Sequence, residues 1–213
     1  MHERRYTLSI RSSPDAGGRS RHFLVSGGCR LTLEGDITLV NGRAEGGDGD
    51  GGSLLIHGAT AVLRGVTIRN SSAAGIASRD GSGLDLEAVT VSGCTAGKSG
   101  GGLFAEQSER LRISDSFFEL NKADKGGAAI EYASENADSV CATIVATSFK
   151  GNVGKTTVSA KARITWICER GQYMPRTSGE RADAFTGDFT GCLKDCAAGF
   201  FQPEQRLQLE RGV

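Results

Sequence analysis

The sequence predicts an all-β chain wound into a parallel β-helix, a solenoid of short stacked strands. Three observations carry this expectation: a recurring pair of apolar anchors, a glycine-led strand between the pairs, and an aliphatic, glycine-rich composition. Leu63-Arg-Gly-Val-Thr-Ile68 aligns with Leu86-Glu-Ala-Val-Thr-Val91, with Ile113-Ser-Asp-Ser-Phe-Phe118 and with Ile144-Val-Ala-Thr-Ser-Phe149. Each places two apolar residues five apart across a small or polar corner. Leu33-Glu-Gly-Asp-Ile-Thr-Leu39 is the same unit with one extra residue. The second anchors, Leu39, Ile68, Val91, Phe118 and Phe149, are spaced by 29, 23, 27 and 31 residues. Periods of this size signal solenoids or propellers, and uneven spacing fits loops of varying length on a constant core.

The glycine-led element appears as Gly52-Ser-Leu-Leu-Ile56, Gly75-Ile76, Gly101-Gly-Leu-Phe104 and Gly126-Gly-Ala-Ala-Ile130. Each repeat therefore offers three short strands with alternate residues turned inward. None can bury a face alone, but parallel stacking of equivalent strands buries a continuous column. A propeller needs four strands per blade and usually more aromatic residues than the 6% found here.

Gly is present 31 times against 3 Pro, so tight turns are cheap and interrupted ladders are few. Lys plus Arg (25) balance Asp plus Glu (25), which argues against electrostatic capture of nucleic acid. Arg4, Arg5, Arg11, Arg19 and Arg21 cluster near the start and read as solvated turn residues. No apolar run is long enough for a membrane span, and the first residues do not read as a signal peptide.

The motifs resemble a known family. Gly126-Gly127-Ala128-Ala129-Ile130 is similar to the GGA(I/L/V) element of polymorphic outer membrane protein repeats. Phe118-Glu-Leu-Asn121 and Phe149-Lys-Gly-Asn152 resemble the accompanying FxxN element, and Gly101-Gly102-Leu103 and Val91-Ser-Gly-Cys94 are weaker copies. The resemblance covers roughly residues 22–160. It implies a right-handed parallel β-helix of the pectin-lyase type, displayed on a cell surface and adhesive. Physically, the glycines permit tight corners, the Phe residues fill the column, and stacked Asn residues would form a polar ladder.

The β-helix is expected over residues 6–165, about five to six rungs. Tyr6-Thr-Leu-Ser-Ile10 already reads as a repeat strand, so the solenoid is expected to be truncated at its N-terminus and part of a larger protein. Trp166-Ile-Cys168 onward to Gly191-Cys192-Leu-Lys-Asp-Cys196-Ala-Ala-Gly199-Phe200 resembles a partial ephrin-receptor-like cysteine-rich repeat, over residues 166–201. Residues 202–213 form a charged, weakly helical tail.

Among the six cysteines, Cys29 and Cys141 read as small buried hydrophobes, and Cys94 as a turn or core residue where other repeats place Asn. Cys168, Cys192 and Cys196 are the disulfide candidates, because a short glycine-rich segment needs a staple. Cys168–Cys192 is the favoured pair, with zinc as the alternative, and connectivity is not readable from sequence.

Catalytic machinery is not evident. Asp36, Asp85 and Asp115, with Arg64, Arg79 and Arg112, are the candidates for a polysaccharide lyase or glycoside hydrolase, but they do not repeat as a cluster and read as solvated corner residues. Gly46-Gly-Asp48-Gly-Asp50-Gly-Gly52 has a calcium-loop flavour with shifted order and no second copy. Gly151-Asn-Val-Gly154-Lys155-Thr156-Thr157 lacks the first glycine of a phosphate loop. His2, His22 and His57 stand apart from any nucleophile. No cofactor or metal is expected.

These readings point to a non-enzymatic extracellular or cell-surface module, adhesive or structural, with glycans or other surface proteins as partners. The alternatives are a polysaccharide-active enzyme or its degenerate descendant, and an ectodomain piece of a receptor-like protein.

Overall fold

The computed structural model describes residues 5–8, 14–44, 51–133, 141–160 and 163–167, with short tail strands at 172–173, 184–185, 189–190, 193–194 and 207–208. Every regular element among them is a strand. The chain winds as a parallel β-helix whose successive coils run Phe23–Ser26 and Arg30–Val40; Leu54–His57 and Thr60–Arg69; Ile76–Arg79, Gly83–Glu87 and Thr90–Ser92; Leu103–Glu106, Arg110–Ser114 and Phe117–Glu119; Gly127–Ala133, Cys141–Val145 and Ser148–Lys150. Thr156–Ala160 and Arg163–Ile167 begin a further coil. Arg5–Leu8 pairs in parallel with Arg30–Leu33 at the other end of the stack.

Stacking generates three faces. The first holds Phe23–Ser26, Leu54–His57, Ile76–Arg79, Leu103–Glu106, Gly127–Ala133 and Thr156–Ala160. The second and third are two halves of one bent sheet, because Arg30–Val40 and Thr60–Arg69 each run through the corner between them.

The anchors align as the repeat predicts. Leu33 is level with Leu63, Leu63 with Leu86, Leu86 with Ile113 and Ile113 with Ile144. Leu39, Ile68, Val91, Phe118 and Phe149 form a second column in the same way. On the first face Leu54, Ile76, Leu103, Ile130 and Val158 form a third. All of these side chains are buried. Each buried Leu or Ile contributes about 1.5–3 kcal/mol relative to an exposed one, so the column rather than any single coil stabilises the fold. Tyr132 is wholly buried beside Ala105 and Ala160 on neighbouring coils, a large residue between two small ones.

Two corners repeat in conformation more faithfully than in sequence. Gly35, Gly65, Ala88, Asp115 and Ala146 all adopt positive φ between the second and third faces. Asn41, Asn70, Gly93, Leu120 and Gly151 do so after the third face. The extra residue of the first unit is Asp36, accommodated as a bulge between Glu34 and Ile37.

The motif glycines have a steric basis. Gly51, Gly100 and Gly127 each lie three residues before Leu54, Leu103 and Ile130, and a Cβ on any of them would collide with that residue's own carbonyl oxygen. The sequence alignment singles out Gly52 and Gly101 instead, one residue too late. In the third coil Ala73 fills this position with φ of 65°.

The tail strands differ in direction from the stack. Ala184–Phe185, Phe189–Thr190 and Leu207–Gln208 pair antiparallel with Thr156–Ala160, Ser148–Lys150 and Arg163–Ile167 respectively. Residues 207–208 are therefore extended, not weakly helical: strand pairing against an open sheet edge satisfies backbone groups that an isolated helical turn would leave to water. Cys168, Cys192 and Cys196 lie outside the described residues.

Candidate functional site

The repeat motifs build the interior. Phe118 and Phe149 stack with ring centroids 5.6 Å apart and planes inclined by 20°. Three residues beyond each lies an asparagine. Asn121 is fully buried; its Nδ2 donates to Val91 O at 2.9 Å and to Asn152 Oδ1 at 3.1 Å, and its Oδ1 accepts from Cys94 N at 3.0 Å. Asn152 Oδ1 also accepts from Asn121 N at 3.0 Å, while Asn152 Nδ2 donates to Phe118 O at 2.7 Å. The two amides thus satisfy Cys94 N and Asn121 N, which lie between strands, and also bind the strand carbonyls Val91 O and Phe118 O. Cys94 occupies the equivalent place one coil earlier; it is buried and unpaired, and burial pushes its thiol up to about 11. Cys29 is half-buried against the core.

Gly126 and Gly127 serve the same interior. Gly127 N donates to Glu131 Oε2 at 2.9 Å, and the Glu131 side chain lies over the loop so closely that a Cβ on Gly126 would strike its carboxylate. Ile130 enters the first-face column. All seven motif residues, Phe118, Asn121, Gly126, Gly127, Ile130, Phe149 and Asn152, are therefore architectural.

The outer faces carry charged and aromatic side chains. On the second face Glu34, Arg64 and Glu87 are level on successive coils. Arg64 Nη1 binds Glu34 Oε1, and Arg64 Nε donates to Glu87 Oε2 at 2.9 Å. The Glu87 and Glu34 carboxylates, in that order, hold the guanidinium above its ordinary pKa. Beside them Arg110 Nη2 donates to Asp85 Oδ2 at 2.7 Å, and Arg112 is level with Asp85. Charges alternate up the stack, so register slips that would stack like charges are disfavoured.

On the first face the Arg79 guanidinium lies 5.2 Å from the Phe104 ring centroid, with its Nε 3.8 Å from Glu106. His57 Nε2 sits 2.7 Å from Asp80, both half-exposed. Leu24 and Leu55 continue the Phe104 row toward the N-terminal coil, and Leu24 is 59% exposed.

The proposed acids and bases do not converge. Asp36 and Asp115 are exposed at corners three coils apart, about 14 Å at one strand spacing per coil. That exceeds the roughly 5–9.5 Å used by paired glycosidase carboxylates. Asp85 is on a strand beside two arginines, Arg64 is held between two glutamates, and Arg79 is on another face. Among the described residues no group of three or more His, Cys, Asp or Glu side chains is placed to hold a metal ion. The interstrand ion pairs join residues 23–30 positions apart, separations that become legible only once coil lengths are known.

No protein-family model, curated protein or solved structure matches the chain.

Proposed function

We propose that this chain is a non-enzymatic extracellular or cell-surface β-helix module, adhesive or structural, whose outer faces engage glycans or other surface proteins. The observation that carries this reading is the pairing of outward charges with one another. Arg64 is committed to Glu34 and Glu87, and Asp85 to Arg110, while the other two candidate acids, Asp36 and Asp115, have no ion-pair partner among the described residues. Such a surface has repeated strands at about 4.8 Å spacing, hydroxyl groups and outward aromatic rings, Phe104 beneath Arg79 and the exposed Phe117. It suits contact with an extended, repetitive ligand better than the polarisation of a single bond. The resemblance of the Gly126–Ile130 and Phe118–Asn121 motifs to polymorphic outer membrane protein repeats supports the same reading.

The test is binding of the purified chain to cells and to immobilised glycans, beside incubation with a panel of polysaccharides. Binding that survives the triple change Asp36→Asn, Asp85→Asn, Asp115→Asn is the expected result. Release of sugar products that this variant abolishes would overturn the proposal in favour of an enzyme.

A further inference from the structure

We propose that Asn70 is the acceptor of an N-linked glycan. The inference rests on the cell-surface reading, since such transfer occurs on chains entering a secretory compartment. Asn70-Ser71-Ser72 has the acceptor pattern Asn-x-Ser with no proline at the middle position.

The place of this triplet in the fold is what raises it above a chance pattern. Asn70 is exposed at the corner that ends the third face, with φ of 55°. Its backbone is fixed there, Asn70 N donating to Ser92 O at 3.0 Å. Its side chain is not engaged: among the described residues its amide has no hydrogen-bond partner. The other asparagines of this corner are spent. Asn41 Nδ2 donates to Asp15 Oδ1 at 3.0 Å, and Asn121 and Asn152 hold the buried ladder. The next coil offers room, because Gly93 is level with Asn70, and Asn70 Oδ1 lies 2.7 Å from where a Cβ on Gly93 would stand. Asn70 is exposed at an edge between coils, so a sugar there would leave the first and second faces uncovered.

The chemistry is a substitution at the sugar. Nδ2 of Asn70 attacks the anomeric carbon of an oligosaccharide carried on a lipid diphosphate. One carbon–nitrogen bond forms and the anomeric carbon–oxygen bond breaks. The lipid diphosphate departs, and the amide gives one proton to a base of the transferase; no electrons are exchanged. Transfer precedes folding, because the folded chain locks the acceptor: Ser71 is buried, Ser72 N donates to Gly42 O at 2.9 Å, and Thr95 N donates to Ser71 O at 2.9 Å.

The experiment is translation of the full chain, fused to a cleavable secretory leader, in the presence of rough microsomes. Only protease-protected, imported chains are scored. The expected result is one mass increment removed by an N-glycan amidase, lost in Asn70→Gln and in Ser72→Ala, and kept in Ser72→Thr. Because scoring is at import, a variant that folds poorly is still read. Imported chains without the increment, or with one that survives Asn70→Gln, overturn the site. The leader supplies entry, so that failure leaves the cell-surface reading standing. Modification here, with the natural chain found inside cells by antibody labelling, would instead defeat that reading.

Discussion

Phe118 and Phe149 stack on adjacent coils, 31 residues apart in sequence and 5.6 Å apart between ring centroids. Both are buried, so each is a member of the core and a link between coils. Phe118→Ala is expected to cost about 3–5 kcal/mol. A double-mutant cycle with Phe149→Ala should return a coupling of about 0.5–1.5 kcal/mol beyond buried area. Denaturant titration of the four proteins checks this; a cost near zero for Phe118→Ala would put the ring outside the column.

Asn121 and Asn152 each make three side-chain hydrogen bonds, but Asn121 is fully buried and Asn152 only half-buried. Removing the Asn121 amide leaves Cys94 N without its partner and takes one bond each from Val91 O and Asn152 Oδ1. Each buried group left without a partner costs about 1–3 kcal/mol. Asn121→Ala should therefore destabilise by several kcal/mol and by more than Asn152→Ala, measured by urea midpoint at unchanged slope. Equal effects would show that the deeper burial of Asn121 adds nothing to its bonds.

Leu120 is the misfit among the left-handed corner residues. Its equivalents are Asn41, Asn70, Gly93 and Gly151, whereas Leu120 holds φ of 54° with 67% of its surface exposed. Left-handed geometry costs an ordinary residue about 1–2 kcal/mol, and Asn tolerates it better. Leu120→Asn should raise stability by about 0.5–1 kcal/mol and remove an exposed apolar side chain. A fall in melting temperature would mean that its contact over Gly151 matters more than its backbone.

Cys94 links stability to alkaline pH. Its folded pKa, about 11, lies above the ordinary thiol value of 9.0 because the site is buried. Between these values the unfolded chain has lost its proton while the folded one keeps it. Stability therefore falls as pH rises through this window, by up to about 1.4 kcal/mol per pH unit from this group. The stability difference between the native protein and Cys94→Ala should shrink over pH 9 to 11. The same burial predicts that alkylation of Cys94 at pH 8 requires unfolding.

Arg64→Glu would place three carboxylates in one column where an arginine now separates two. The expected effect is a lower melting temperature at low ionic strength that largely recovers in concentrated salt. A loss independent of salt would point to packing of the arginine stem.

The columns were legible because an inward position in a stack must be apolar in nearly every coil. Leu33, Leu63, Leu86, Ile113 and Ile144 could thus be aligned without coordinates. Legibility ended where the interior is polar. Ser116 and Thr147 point inward at the places of Val66 and Val89, their hydroxyls satisfied by Ser114 O and Val145 O, and nothing in their identity marks them as core. It ended also where conformation is conserved without composition, as at Ala88, Asp115 and Ala146, which hold the geometry of Gly35 and Gly65. On the candidate site, the residue types were visible but their pairing was not, because partners on successive coils are separated by loops of unequal length.

The antiparallel strands at 184–185, 189–190 and 207–208 give the stack a terminus. A parallel solenoid is a polar object: one end of each sheet is the template for the other end of the next copy. Laid head to tail, copies would extend without limit, as fibrils do. At this end two residues on each of the three faces are paired with a strand of the opposite sense, which does not continue the parallel template. A strand of the wrong sense seated on that edge is a poor seed for head-to-tail stacking.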